Sequence, residues 1–514
     1  MTNTEIFTIL AAFAFYLIFM IVIGAICMKQ TNSTEDYFLG GRGLSGWVAA
    51  LSAQASDMSG WLLMGLPGAV YALGTGEAWI AIGLFLGTVF NWIVISGRLR
   101  SYTIRANNSL TLPEFFENRF EDKKRILLLI SSIVIAVFFL VYTASALAAG
   151  GKLFTTVFGI EYRVALVVGA FVILVYTFMG GFMAVCVTDF IQGMLMLVGL
   201  LVVPIIAYGI VGGDMTSLIE QSGVAGGSVS FLNIFEDNGK PLTFVQILSQ
   251  LAWGLGYMGM PHILVRFMAV KDKKELKKSR VIAIVWVALS LGMAVLIGII
   301  GRAYMYPTLL GTAGADNTEN VFIQMILKLF TEEFSLAFIG GLFLCGILAA
   351  IMSTADSQLL VTASAVSQDI FKGIIKKDAS DKTIFRISRY TVVVVALLAV
   401  LIAWDPNSSI MGLVSNAWAG LGSAFGPIVL LSLFWKRTNL PGAIAGIVSG
   451  GLTVIIWDYI PLVGGQTLGA ATGLYSLLIG FFVSLALIVV VSLMTKEPSK
   501  EMLQAFDDVK NKRV

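Results

Sequence analysis

The sequence contains a single histidine, His262, and three cysteines, Cys27, Cys186 and Cys345, each alone inside an apolar run. With one imidazole and no C-x-x-C spacing, neither a zinc site nor a disulfide framework is indicated. No GxxxxGK[ST] phosphate loop occurs, so nothing in the chain reads as nucleotide-driven. Charge is scarce as well, at 13% of residues against 57% hydrophobic. A water-soluble domain of 514 residues could not hide so much apolar surface, which excludes the usual soluble classes.

What the chain has in abundance is long hydrophobic runs, with a mean hydropathy of +0.88. About 20 apolar residues at helical rise cross a bilayer. By that criterion about thirteen crossings are predicted, near 6–28, 46–73, 77–97, 126–150, 163–180, 187–211, 242–264, 281–301, 334–369, 386–404, 409–435, 441–457 and 472–494. The first run follows Glu5 with no basic stretch before it, and is too long for a signal peptide, so it reads as a spanning helix. The reading is an all-α integral membrane protein of the cytoplasmic membrane type.

Basic residues should gather in cytoplasmic loops. With the N-terminus outside and the C-terminus cytoplasmic, all lie inside except Lys152, Arg163, Lys240, Arg302 and Lys328. The inner clusters are Arg98 to Arg125, Arg266 to Arg280, Lys372 to Arg389, Lys436/Arg437 and the tail. The slight basic excess (net +3) is therefore a topological signal, and nucleic acid is not a partner. Outer stretches at Gly212 to Gly239 and Ala313 to Glu333 read either as lid-like helices or as solvated connectors. The tail after Thr495 reads as amphipathic, through Met502, Leu503 and Phe506, and too short for a signalling domain.

Two runs differ from the plain Leu/Val/Ile/Phe helices. ALSAQASDMSGWLLMGLPGAVYALG (Ala50 to Gly74) and QLAWGLGYMGMPHILVRF (Gln250 to Phe267) are dense in small, polar and helix-breaking residues. Within a membrane a broken helix is tolerated only where it lines a cavity or site. The two are five crossings apart, the separation expected of inverted five-helix repeats, and such matched interruptions point to a midplane transport site. Close packing through small residues is the competing explanation.

Asp57 lies within the first of these segments, where a carboxylate costs about 2.5 to 3.5 kcal/mol to insert. It reads either as support for a cation site or as a capping or salt-bridged residue at the break. In LAAIMSTADSQLL, Ala350, Ser353, Thr354 and Ser357 share one helical face, whose oxygens suit a hard cation or an interhelical hydrogen bond. Asp356 points elsewhere and is assigned no role. Trp253 and Tyr257, spaced i, i+4, place two rings on one face, either to enclose a compact solute or as core anchors. Tyr142 carries the same ambiguity, and Asp189 reads either as functional or as a helix N-cap.

FLGGRGLSG (Phe38 to Gly46), ALSAQASDMSGWLLMGLPGAVY (Ala50 to Tyr71), VYTASALAAGGKLF (Val141 to Phe154), GYMGMPHILVRFMAV (Gly256 to Val270) and AAIMSTADSQLLV (Ala349 to Val361) together resemble the sodium:solute symporters, and among them the bacterial sodium/proline branch. The resemblance implies a LeuT-like core with a broken first helix in each repeat. Its parts would be an extra helix and loop (1–45), repeat one (46–211), an outer loop (212–241), repeat two (242–435), two further helices (436–494) and a tail (495–514).

Carried over by motif, the resemblance implies a co-transported sodium ion held by the carbonyls of Ala55, Met58 and Ala350 and the hydroxyls of Ser353 and Thr354. Asp57, Ser59 and Gly60 would support ion coupling, with Asp189 near an ion exit route. L-proline would sit near Tyr142, Trp253, Tyr257 and Pro261. The expected activity is sodium-coupled import of proline by alternating access, with a different solute (pantothenate, another amino acid or a sugar) as the alternative. A sensor module and an intramembrane enzyme rank behind these, since the lone His262 offers neither a metal pair nor a nucleophile dyad.

Overall fold

A computed structural model describes residues 1–28, 34–178, 181–311 and 315–511. Backbone polar groups in hydrocarbon must be satisfied within their own segment, so the apolar runs fold as helices. Among the described residues, ten helices are long and apolar enough to cross a membrane. The segments that build the core are α1 (Asn3–Met28), α2 (Gly46–Asp57), α3 (Leu66–Leu73), α4 (Ala78–Phe90), α5 (Ile126–Phe158), α6 (Tyr162–Thr177), α7 (Phe182–Val211), α8 (Phe244–Leu251), α9 (Pro261–Ala269), α10 (Lys273–Tyr304), α11 (Ala337–Ser364), α12 (Asp381–Ile402), α13 (Ile410–Phe434), α14 (Leu440–Tyr459), α15 (Ser476–Met494) and α16 (Lys500–Lys510). Several helices run past the predicted apolar windows, as α5 does to Phe158, because a helix continues beyond the stretch that must be apolar.

The outer surface inverts the soluble pattern. Phe7, Phe15 and Ile18 on α1 are each more than half exposed, while Asp57, Asp189 and Arg266 are fully buried. α11 and α13 form the interior: α11 packs on α1, α5 and α7, and α13 on α5, α14, α15 and residues 252–259.

Both predicted interruptions are present. α2 ends at Asp57, Met58 leaves helical geometry (φ −87°, ψ 88°), and a π-type turn at Trp61–Gly65 leads into α3. α8 runs into a 3-10 segment, Ala252–Gly259, then Met260 is extended (φ −88°, ψ 102°) and Pro261 opens α9 at its first turn. The competing explanation also holds in part: a Cβ on Gly254 would stand 2.1 Å from the Gly83 carbonyl oxygen, so α4 packs directly on this backbone.

The stretch at 212–241 holds two short helices, Met215–Gln221 and Gly227–Phe231, and an antiparallel pairing of Glu236–Asp237 with Lys240–Pro241. In the stretch at 313–333, residues 313 and 314 lie outside the described residues, and a 3-10 segment and the helix Val321–Leu327 follow. A second small hairpin pairs Pro461–Val463 with Gln466–Thr467. The tail forms α16, which buries Met502 and Phe506 of the predicted apolar face together with Val509, while Leu503 is only half-buried. The Cys27 side chain lies outside the described residues.

Candidate functional site

The end of α2 leaves its last carbonyls without intrahelical donors. Met58 still bonds back to the Gln54 carbonyl at 2.9 Å, but beyond it the ladder stops. The Ala55 carbonyl instead accepts from two hydroxyls of α11, Ser353 at 2.7 Å and Thr354 at 3.4 Å. Ser353 also reaches the Ala350 carbonyl, at 3.2 Å. Four of the five predicted sodium ligands therefore meet in one buried cluster, at the negative end of a helix dipole. Oxygen donors of this kind suit a hard cation, and hydroxyl protons now stand between oxygens that an ion would otherwise bridge. The fifth predicted ligand is the Met58 carbonyl; the Met58 side chain accepts the Ser290 hydroxyl at its sulfur, which does not bear on that carbonyl.

Asp57 joins the two interrupted segments. Its Oδ2 accepts the Tyr257 hydroxyl at 2.6 Å, while Oδ1 is buried without a partner. Its backbone carbonyl accepts from the Trp61 indole at 2.9 Å and the Tyr142 hydroxyl at 3.4 Å. Asp57 forms no ion pair among the described residues, so neither a salt bridge nor a helix cap explains it. Ser59 takes the Trp61 backbone N–H at 3.4 Å, and a Cβ on Gly60 would meet Ala149 of α5 at 2.5 Å, which makes close approach the reason for that glycine.

Around Asp57 the aromatic residues form a box. Trp418 of α13 is its hub: Tyr257 meets it edge-on at 5.1 Å, Tyr142 edge-on at 6.4 Å, and Trp253 stacks at 6.5 Å. The Trp418 indole donates to the Trp253 carbonyl at 2.8 Å, and Tyr475 stacks on the outer face of Trp253 at 5.2 Å. Such rings offer large rigid apolar surfaces with polar rims. Pro261 lines a separate narrow crevice with Val265, Ser364, Thr111 and Asp369, whose walls do not include Tyr142, Trp253 or Tyr257.

Asp189 stands inside α7, one layer away, so its reading as an N-cap is corrected. It pairs with Arg266 at 3.2 Å and accepts from Ser52 at 2.7 Å, while Arg266 also donates to Ser357 at 2.6 Å and to the His262 carbonyl at 2.7 Å. Arg266, counted by its position among the loop residues, is thus a fully buried partner on α9. Ser357, predicted on the oxygen face, instead accepts from the Arg266 guanidinium. Asp356 accepts from Thr177 at 2.7 Å and has no cationic partner among the described residues. At the opposite end of the bundle Lys152 pairs with Glu319 at 2.6 Å, whose other oxygen accepts the Ile410 backbone N–H at 3.0 Å.

Trp418 and Arg266 escaped the sequence reading. The signal for Trp418 was available: Ala417, Ala419 and Gly420 flank it as Ala252 and Gly254 flank Trp253. For Arg266 the signal was its place in a run apolar on both sides of His262.

The family model for sodium:solute symporters matches residues 37–450. The osmoregulated proline transporter OpuE of Bacillus subtilis is 43% identical over 97% of this chain and 97% of its own length. The sodium/proline symporter of Escherichia coli is 45% identical over 97% of this chain and 95% of its own. A solved Na+-coupled sialic acid symporter in a substrate-bound outward-open state superimposes with a TM-score of 0.77 at 21% identity, over 96% of this chain and 98% of that one.

Proposed function

Because the chain belongs to the sodium:solute symporter family, we propose that it is a sodium-coupled secondary active symporter that imports L-proline by alternating access. Relatives named as proline transporters and sodium/proline symporters, matching over nearly the whole chain, support both cargoes. The protein is an integral membrane transporter and not an enzyme. Counting α6 and the two interrupted segments with the ten long helices gives thirteen crossings. We place the repeats at 46–211 and 242–435, and the concentration of basic residues on one side supports an outside N-terminus.

The observation that carries the reading is Asp57. It ends the first broken helix, accepts Tyr257 from the second, and lies two residues from the Ala55 carbonyl where the α11 hydroxyls converge. A sodium ion held by Ala55, Met58, Ala350, Ser353 and Thr354 ties α2 to α11. Through Asp57 the same strand of backbone reaches the aromatic box, where Tyr142, Trp253, Tyr257 and Pro261 take the imino acid. Ser59 and Gly60 keep the break close to α5, and the Asp189 to Arg266 pair lies beside the route by which the ion leaves. Sodium bound first organises both breaks, and proline then closes the outer side.

Each sodium ion entering down an inside-negative potential of about 100 mV releases about 2.3 kcal/mol, and a tenfold gradient adds about 1.4 kcal/mol. One ion per proline thus sustains roughly a few hundred-fold accumulation. The test is uptake of labelled proline by proteoliposomes with and without an inward sodium gradient. Uptake that needs the gradient is expected, with excess unlabelled proline competing and pantothenate, other amino acids or sugars not. Equal uptake without sodium and at zero potential overturns the coupling, and stronger competition by another solute overturns the substrate.

A further inference from the structure

His262 is the one histidine of the chain, and its imidazole is fully buried with neither Nδ1 nor Nε2 in a hydrogen bond. A neutral imidazole carries one N–H donor and one acceptor nitrogen. Buried groups of that kind are matched in nearly all folded proteins, and an unmatched one calls for a ligand, a water or a functional reason.

Its surroundings point to a ligand. The ring lies edge-on to Tyr142 at 6.1 Å and to Phe139 at 5.4 Å, so it extends the wall of the aromatic box. It occupies the first turn of α9, directly after Pro261, where backbone N–H groups and the helix dipole favour negative charge. Tyr142 spans from this ring to Asp57, since its hydroxyl reaches the Asp57 carbonyl at 3.4 Å. Asp57 contributes the opposite polarity, with Oδ1 also unpartnered. The nearest cation, Arg266, is engaged with Asp189, Ser52, Ser357 and the His262 carbonyl, so it does not compete for an anion in the box.

We propose that the His262 imidazole N–H binds the carboxylate of the carried amino acid, while the secondary ammonium turns toward Asp57. The two ends of the box therefore read the two charges of a zwitterion, and His262 makes the free carboxylate a condition of transport. The assignment rests on the proline reading above and adds a residue to it.

The chain's single histidine makes the test direct. Full-length protein, purified without a polyhistidine tag and labelled with nitrogen-15 at histidine, gives one pair of imidazole resonances, followed while sodium and then L-proline are added; calorimetry on the same sample reports proline binding. Proline is expected to shift the ring nitrogens, and prolinamide, which lacks the carboxylate, to leave them near the sodium-only position. Proline binding with unmoved imidazole signals, or an equal shift with prolinamide, overturns the His262 assignment and leaves the transport reading intact. No proline binding in sodium overturns both. In uptake, His262→Leu is expected to raise the proline KM by roughly 10- to 100-fold with sodium dependence kept. His262→Gln, which retains an N–H donor, is expected to recover part of the loss, and an equal loss in both variants counts against the assignment.

Discussion

The Ser353 hydroxyl of α11 donates to the Ala55 carbonyl of α2 at 2.7 Å, across 298 residues of sequence. This contact brings a freed helix-end carbonyl to a face of hydroxyls, the arrangement on which the proposed sodium site rests. Ser353→Ala removes one oxygen from the cluster. The sodium concentration for half-maximal proline uptake is expected to rise about tenfold, the worth of one hydrogen-bond-strength contact. Uptake measured over a sodium series decides it, and an unaltered half-point removes Ser353 from the ion site.

Asp57 and Tyr257 are expected to respond differently to substitution. Asp57→Ala is expected to raise the sodium requirement by orders of magnitude, because it deletes the carboxylate that joins the two breaks. Tyr257→Phe keeps the ring and loses the 2.6 Å hydrogen bond, so proline affinity should fall more than sodium affinity. Binding of each cargo to the purified variants distinguishes these outcomes, and an equal loss of both in Tyr257→Phe would indicate misfolding.

The Asp189 to Arg266 pair is fully buried. Removing one partner strands a charge at a cost of about 3–5 kcal/mol, whereas replacing both with apolar residues is close to neutral. Asp189→Leu alone should lower the melting temperature sharply, and Asp189→Leu with Arg266→Met should restore much of it. Melting curves that fail to recover in the double variant would mean that the charges hold more than each other.

Glu114 lies outside the crossing helices, in the short helix Leu112–Arg119. Burial holds its carboxyl above the ordinary range, although the Leu110 backbone N–H, at 2.8 Å, opposes this. A carboxyl raised in the folded state keeps its proton where the unfolded chain has lost it. Its contribution therefore favours folding at low pH and is lost as pH rises from the ordinary carboxyl range through the raised value. Glu114→Gln, which can still accept from Leu110, should flatten that fall in thermal stability; parallel pH profiles for the two proteins would refute it.

Much of the site was legible because the bilayer makes exceptions expensive. Asp57 and the small residues of Ala50 to Gly74 and Gln250 to Phe267 stood out against apolar runs, and both interruptions fell where those residues lie. Trp418, by contrast, lies in a continuous apolar helix, where the small residues flanking it are its one local signal. Its role exists only because Gly256 leaves room for the indole: a Cβ there would stand 2.0 Å from the indole nitrogen. Asp189 at the start of an apolar run looked like a cap, and the helix in fact begins at Phe182.

By itself the sequence determined the solvent, the helices, their breaks and the family, since each follows from which residues can face hydrocarbon and which backbone can stay paired within it. Partnership was decided only in three dimensions. Which acceptor takes Arg266, which ring closes the box and whether the His262 imidazole finds a partner depend on distances between helices far apart in the chain, and no local pattern of residues carries those distances.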